Sequence, residues 1–224
     1  MPFDAVLFDC DGVLVDSEGI TNRVLCEMLN EAGWALPPAD CLRIFVGHTV
    51  RSHTALIEAE TGRPLTDAWM AAFYARRNER LQSELVAIAG AVDAVRALHT
   101  DLGGRIAVAS GADKPKVQMQ LDKVGLAEFF GAQVFSGHDL PRTKPWPDVY
   151  LAAAAAVGVA PARCLVIEDS VPGLTAGVRA GATVWAYCPA VGAHSTPEAL
   201  LEAGAARVFQ SMAELPALMR AAAA

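Results

Sequence analysis

The sequence predicts an α/β fold: a Rossmann-like parallel sheet flanked by helices, with an all-helical insert after the first strand. From residue 87 to the C-terminus, short apolar runs alternate with helical segments, which is typical of a parallel sheet covered on both faces. Between residues 17 and 86, apolar residues recur at helical spacing and no strand pattern is found. We therefore expect two domains, a sheet core of residues 1–16 and 87–224 and a helical insert of residues 17–86.

The first predicted strand is the apolar run Ala5–Phe8, which is followed at once by Asp9 and Asp11. Burial of a carboxylate at a strand end is costly unless a cation or hydrogen-bond donors compensate it. Gly12 then allows the backbone to turn. Because ligands bind at the carboxyl ends of parallel strands, the two aspartates indicate a reactive centre built around a divalent cation.

The remaining elements follow in chain order, and glycine and proline residues separate them. Four helices are predicted in the insert, at residues 17–32, 39–46, 52–60 and 67–85. Further strands are predicted at residues 105–109, 133–135, 164–167, 183–187 and 207–209. Further helices are predicted at residues 91–100, 116–124, 150–157, 174–180 and 212–220.

The composition is typical of a soluble globular protein, with 53% hydrophobic and 19% charged residues. A formal net charge of −7 argues against nucleic acid as the main partner, and no apolar run reaches the roughly 20 residues that span a bilayer. The five cysteines form no CxxC pair, which favours reduced thiols in the cytoplasm. Cys10 is interpreted as a small filler between the aspartates, since no base is placed beside it. We expect a cytoplasmic monomer or weak dimer.

Three later strands also end in polar residues, at Ser110, at Ser136, and at Glu168 with Asp169. In a parallel sheet these residues lie at the same edge as the first two aspartates. Several carboxylates in one crevice repel each other unless a hard cation lies among them, and oxygen ligands suit Mg²⁺. The alternative is that Asp169 and Ser170 merely cap the helix that follows.

Lys144 lies in a loop stiffened by Pro145 and Pro147, which pre-organises its side chain. A lysine that faces an acidic, metal-binding edge can neutralise a phosphoryl group. Ser110 and Gly111, at a strand-to-helix junction, offer a hydroxyl and backbone N–H groups to the same anion. Together with the carboxylates, these groups are the parts that phosphoryl transfer needs.

The chain resembles the haloacid dehalogenase superfamily of phosphohydrolases in residues that match all four of its motifs: Asp9 with Asp11, Ser110, Lys144, and Glu168 with Asp169. Residues 144–148 and the helical insert resemble the subgroup that contains beta-phosphoglucomutase and small sugar-phosphate phosphatases. In that subgroup the insert is a mobile cap over the site. Similarity to 6-phosphogluconate-type phosphatases is also found in two segments, residues 83–90 and 135–139.

The resemblance implies that Asp9 attacks phosphorus and becomes an aspartyl-phosphate, while Asp11 acts as the general acid and base. It also implies that Mg²⁺ is held by Asp9, by the backbone carbonyl of Asp11 and by Asp169, with Glu168 at or near the metal. Three residues are implied to bind the phosphoryl oxygens: Ser110, Gly111 and Lys144. An acid at position 11 indicates that the substrates are phosphate esters, because dehalogenases of the superfamily lack it.

Recognition of the rest of the substrate is expected of the helical insert. Four residues are candidates for it: His48, Thr49, Arg51 and Arg77. By its place in the sequence, Arg77 resembles a basic cap residue that contacts phosphate in the mutases.

The leading interpretation is a Mg²⁺-dependent phosphatase that acts on a small phosphorylated metabolite, a sugar phosphate or sugar-acid phosphate. A phosphomutase is the first alternative, although Thr21 stands where such mutases usually carry a histidine. A non-catalytic phospho-acceptor domain is the second, although it would need no helical cap. Phosphonate cleavage is excluded, because it needs a lysine in the cap and residues 1–85 contain none.

Overall fold

The computed structural model describes residues 2–45, 49–193 and 195–222. The chain divides into two compact units: residues 1–16 with 86–224 form the sheet unit, and residues 17–85 form the helical insert. Over the described ranges, no helix combines the length and the apolar composition that crossing a membrane requires.

Within the described residues, the sheet unit contains six parallel strands in the order β3-β2-β1-β4-β5-β6. They are Ala5–Phe8 (β1), Ile106–Ser110 (β2), Val134–Ser136 (β3), Cys164–Glu168 (β4), Thr183–Tyr187 (β5) and Arg207–Phe209 (β6). Strand β1 lies between β2 and β4, so that Phe8 pairs with Val108 on one side and with Ile167 on the other. The predicted α/β class with a parallel sheet is confirmed.

The described part of the helical insert contains four α-helices. They are Glu18–Glu31 (α1), Pro38–Phe45 (α2), Thr54–Thr61 (α3) and Asp67–Glu84 (α4). Their apolar faces form one core, in which Leu29 of α1 and the α4 residues Met70 and Phe73 are buried. The insert is therefore all-helical, as its apolar spacing predicts.

Seven α-helices belong to the sheet unit over its described residues. They are Ala91–Asp101 (α5), Lys114–Lys123 (α6), Ala127–Phe130 (α7), Asp148–Ala156 (α8), Val171–Arg179 (α9), Pro197–Glu202 (α10) and Leu215–Ala221 (α11). Leu7 of β1 packs in one core with Tyr150 of α8 and Leu174 of α9. On the opposite face of the strand, the Phe8 ring lies 6.0 Å from the Phe130 ring of α7. Both faces of the sheet are thus covered, which explains why the strands are apolar on both sides.

Several boundaries differ from the sequence prediction. Strands β2 and β3 extend one residue further than predicted, because Ser110 and Ser136 pair with each other and close the ladder. The first residues of the helices predicted at 52–60 and 212–220 lie in short 3₁₀ turns. Helices α7 and α10 were not predicted. For α10 the signal was present, since the Thr196 side chain accepts a hydrogen bond from the Ala199 N–H and Pro197 opens the helix.

Candidate active site

The carboxyl ends of the neighbouring strands place polar side chains at one edge of the sheet. Asp9 follows β1 directly, and its N–H donates to the Ile167 carbonyl of β4 at 2.9 Å. Ser110 is the last residue of β2, and Glu168 is the last residue of β4. Since β1 lies between these two strands, the structure brings the predicted residues of all three strand ends together.

Lys144 connects two of the carboxylates. Its Nζ donates to Asp9 Oδ1 and to Glu168 Oε1, each at 2.7 Å. All three side chains are at least nine-tenths buried. Removal of the aspartate from water outweighs the attraction of Lys144 and raises the pKa of Asp9 to about 7. For the lysine, burial acts in the opposite direction, but the two carboxylates outweigh it and raise the Lys144 pKa, so the ammonium form is retained.

Glu168 is completely buried, and its two oxygens accept five hydrogen bonds from four residues. Oε1 accepts from Lys144 Nζ and from the Tyr150 hydroxyl, both at 2.7 Å. Oε2 accepts from the N–H groups of Asp169 and Ser170 and from the Ser170 hydroxyl, at 3.0–3.2 Å. Burial raises the pKa of Tyr150, so its hydroxyl remains a neutral donor. Such a network compensates the cost of burying this carboxylate.

Two glycines make room for the acidic side chains. A Cβ on Gly173 would lie 1.7 Å from Glu168 Oε1, and a Cβ on Gly12 would lie 2.0 Å from Asp169 Oδ2. Gly12 also has φ +78°, a conformation that residues with a side chain rarely adopt. Ser170 caps α9 through the Gly173 N–H, so the capping interpretation holds for Ser170 alongside its contact with Glu168.

Three carboxylates form a group that fits a divalent cation. Asp9, Glu168 and Asp169 each offer one oxygen, and these oxygens all lie within 4.8 Å of one another. Hard oxygen ligands are the donors that Mg²⁺ prefers, and a cation would also favour the charged form of Asp9. Asp11, which we predicted at the metal through its backbone carbonyl, does not contribute its carboxylate to this group. Its predicted ligand atom, the backbone carbonyl, stays a prediction.

The Asp11 carboxylate is instead bound by two residues of α6 that sequence reasoning missed. Lys116 Nζ lies 2.9 and 2.8 Å from its two oxygens, and Gln120 Nε2 donates to Oδ1 at 2.8 Å. Lys116 and Gln120 are four residues apart and share one face of the helix. The sequence offered no signal for them, because their burial and their contact with Asp11 are tertiary features.

The turn after β2 is fixed by its own hydrogen bonds. The Ser110 hydroxyl accepts from the Ala112 N–H at 3.0 Å, and the Ser136 hydroxyl donates to the Ala112 carbonyl at 2.7 Å. Asp113 then caps α6 by accepting from the Lys116 N–H. Gly111 is exposed in this turn, next to the buried Ser110. Two of the three predicted phosphate-binding residues, Ser110 and Gly111, therefore lie at the carboxyl edge of the sheet.

Cys10 has the features of a structural thiol. Its Sγ is buried and donates to Gln120 Oε1 at 3.6 Å. Burial, together with the neighbouring carboxylates of Asp11 and Asp9, raises its pKa far above the ordinary value. Since the thiolate is the reactive form, the residue is unsuited to nucleophilic attack.

The candidates in the helical insert have local partners. Thr49 caps a 3₁₀ turn by accepting from the Ser52 N–H, and Arg51 pairs with Asp67. Arg77 is buried, and its guanidinium donates to Asn78 Oδ1 at 3.1 and 2.9 Å and lies 4.8 Å from the Tyr74 ring centre. His48, the remaining candidate, lies outside the described residues. A role in substrate recognition stays a prediction for all four.

Known proteins resemble the chain over four-fifths or more of its length. A 6-phosphogluconate phosphatase from Escherichia coli is 32% identical over 219 residues, which cover 97% of this chain and 95% of that protein. A fructose-1-phosphate phosphatase from the same organism is 29% identical over 183 residues, which cover 80% of this chain and 93% of that protein. The crystal structure of a HAD family hydrolase from Deinococcus radiodurans, with bound phosphate and sodium, is 36% identical with a TM-score of 0.83, covering 99% of this chain and 97% of that chain.

The family model of the haloacid dehalogenase-like hydrolases matches residues 3–181. This range contains each motif residue at the edge of the sheet, from Asp9 to Asp169. The resemblance inferred from the motifs is confirmed, and the chain belongs to the haloacid dehalogenase-like hydrolase family.

Proposed function

We propose that this hydrolase is a Mg²⁺-dependent phosphatase that cleaves the phosphate ester of a small sugar or sugar acid through an aspartyl-phosphate. One observation carries the proposal. A buried carboxylate, Asp9, lies in contact with the Lys144 ammonium and beside two further carboxylates, and Asp11 follows two residues later. This arrangement combines a nucleophile, an acid, a cation site and a fixed positive charge at the carboxyl edge of the parallel sheet.

In the first half-reaction, an Asp9 oxygen attacks phosphorus and the bond between phosphorus and the ester oxygen breaks. Asp11 donates a proton to that oxygen, which leaves as the alcohol. In the second half-reaction, water attacks the phosphorus of the aspartyl-phosphate and gives its proton to Asp11. Inorganic phosphate leaves, and both aspartates return to their starting forms.

Such a reaction mainly requires that the negative charge on the transferring phosphoryl group be stabilised. Lys144 is held as an ammonium between Asp9 and Glu168, so it is already in place for the phosphoryl oxygens. The Ser110 hydroxyl accepts from the Ala112 N–H, which leaves its own hydrogen to donate to an oxyanion, and the Gly111 N–H is proposed to bind the same anion. Pre-arranged donors of this kind stabilise the transition state without a cost of reorganisation.

The cation would be held by Asp9 and Asp169, with Glu168 beside them and with the Asp11 backbone carbonyl as a further proposed ligand. When bound, Mg²⁺ would supply positive charge to the phosphoryl oxygens and to Asp9. The hydrogen-bond network of Glu168 supports a role in orienting Lys144 in addition to any contact with the metal.

The substrate class rests on two relatives, which are named as phosphatases of 6-phosphogluconate and of fructose 1-phosphate. Both substrates are small phosphorylated carbohydrates. The helical insert is proposed to select among such molecules, with Thr49, Arg51, Arg77 and His48 as its candidate contacts. A phosphomutase remains the second candidate function, and Thr21 in place of the usual cap histidine counts against it.

The test is release of inorganic phosphate from phosphorylated sugars, sugar acids, glycolate and nucleotides with Mg²⁺. Wild type is expected to release phosphate from a sugar or sugar-acid ester, and EDTA and the Asp9→Asn variant are expected to abolish release. Asp93→Asn is the matched control, since Asp93 is an exposed residue of α5. Isomer formation without net phosphate release would establish the mutase instead. Stable phosphorylation of Asp9 without turnover would establish a phospho-acceptor.

A further inference from the structure

The loop that carries Lys144 is contacted by a residue from a different element. Arg179, in the last turn of α9, donates from Nη1 to the Pro145 carbonyl at 3.0 Å. Its guanidinium carbon also lies 5.2 Å from the centre of the Trp146 ring. One side chain thus contacts the two residues that directly follow Lys144, one through a hydrogen bond and one through a cation–π contact.

The same tryptophan is contacted from within the loop. The guanidinium carbon of Arg142 lies 4.4 Å from the Trp146 ring centre, and Arg142 also forms an ion pair with Asp148 at 3.0 Å. Asp148 is the first residue of α8, the helix that supplies Tyr150 to Glu168. The segment from Arg142 to Tyr150 is therefore held at several points along its length. Although half of the Trp146 surface is exposed, its ring has cationic partners.

We propose that Arg179 is a positioning residue, which holds the backbone after Lys144 so that the ammonium lies between Asp9 and Glu168. The inference rests on the proposed function, because it assigns Arg179 to the group that binds the phosphoryl oxygens. A lysine side chain has four rotatable bonds. The Lys144 ammonium is therefore held 2.7 Å from both carboxylates only if the backbone of Lys144 is fixed in position. The Trp146 ring packs against Arg179 of α9 and also against Arg142 of the loop, so it links the helix to the loop.

A purely structural role for Arg179 would make a different prediction. A surface residue that only stabilises the fold affects the unfolding midpoint, and its effect on phosphate binding adds to that of any other change. A residue that acts through Lys144 loses its effect once the lysine is removed. The two roles are separated by a double-mutant cycle.

The experiment measures binding of inorganic phosphate to the Mg²⁺-loaded protein by calorimetry, in wild type, Arg179→Ala, Lys144→Met and the double variant. Arg179→Ala is expected to weaken phosphate binding and to lower kcat/KM by about tenfold, the effect of one lost charged hydrogen bond. In the Lys144→Met background the same change should have no further effect. Arg179→Lys should restore most of the binding, because lysine can also donate to the Pro145 carbonyl.

Arg105→Ala is the matched control, since Arg105 is an exposed arginine that donates to the Asp4 carbonyl at the other end of the sheet. It should leave phosphate binding and turnover unchanged. Wild-type binding in Arg179→Ala, or an equal loss in both backgrounds, would overturn the inference. A wild type that releases no phosphate from any ester would instead overturn the proposed function, whatever the cycle shows.

Discussion

Replacement of Tyr150 by phenylalanine removes one hydrogen bond from the most buried carboxylate of the site. The Tyr150 hydroxyl lies 2.7 Å from Glu168 Oε1, and neither side chain is exposed to solvent. A hydrogen bond to a charged group contributes about 1.5–3 kcal/mol, and here water has no access to replace the lost donor. Because the ring itself is retained, packing against the sheet changes little. We therefore expect the free energy of unfolding to fall by about 1.5–3 kcal/mol.

The assay is equilibrium unfolding in urea, in which the midpoint should fall while the slope stays unchanged. For a chain of this size, the same change corresponds to a melting temperature about 3–12 °C lower. Tyr74→Phe is the control, because it removes a hydroxyl from an exposed ring of α4 and retains the ring beneath Arg77. A Tyr150→Phe protein within about 0.5 kcal/mol of the Tyr74→Phe control would show that the hydroxyl does not compensate the buried charge.

Three further variants test other parts of the site. Gly173→Ala places a Cβ 1.7 Å from the buried Glu168 carboxylate and should destabilise the protein by about 3 kcal/mol in urea unfolding. Lys116→Met removes one of the two α6 residues that bind the Asp11 carboxylate, and it should lower kcat/KM for alkyl phosphates by about 100-fold but for p-nitrophenyl phosphate by less than about threefold. This constant reports formation of the aspartyl-phosphate, and the p-nitrophenyl leaving oxygen needs little protonation. Cys10→Ala should retain turnover within about threefold, and iodoacetamide should not inactivate wild type at pH 8.

Each of these variants has a control or a contradicting result. Gly19→Ala places its Cβ on α1 in ordinary van der Waals contact with the Arg23 side chain, at 3.8 Å, and should not destabilise the protein. If Gly173→Ala behaved in the same way, the tight packing around Glu168 would be refuted. An equal loss for both ester types in Lys116→Met would exclude an effect through the acid. Inactivation of wild type by iodoacetamide, with the Cys10→Ala variant resistant, would restore Cys10 as a candidate nucleophile, since the chain has four other free cysteines.

The carboxyl edge of the sheet could be predicted because its signal is local. Asp9, Ser110 and Glu168 each come at the end of a short apolar run, and the parallel topology then places them together. Lys144 was identified by the prolines around it, although its contact with both carboxylates is a tertiary feature. Chain order and strand pattern were therefore sufficient to place these strand-end residues at one edge of the sheet, whereas their proposed roles rest on the family resemblance.

Residues that act through long-range contacts carried no such signal. Lys116 and Gln120 reach Asp11 across 105 and 109 positions of the sequence. Tyr150 lies in an alanine-rich helix and has the pattern of an ordinary core residue, whereas its hydroxyl binds Glu168. Arg179 has the pattern of a solvated helix end. Periodicity predicts which face of an element is buried, but it does not predict which polar group that face meets.

The charge balance of the site depends on the residues that could be predicted from the sequence together with those that only the structure identifies. Four carboxylates, on Asp9, Asp11, Glu168 and Asp169, meet two ammonium groups, on Lys116 and Lys144. With all of these groups ionised, the four carboxylates outnumber the two ammonium groups at a mostly buried edge. Such an excess is unfavourable in a region of low dielectric. Burial is the main cause of the raised pKa of Asp9, and the neighbouring carboxylates of Glu168 and Asp11 add to it. A divalent cation would reduce this excess. Each lysine contacts a different one of the two aspartates that are proposed to react, Lys144 contacting Asp9 and Lys116 contacting Asp11.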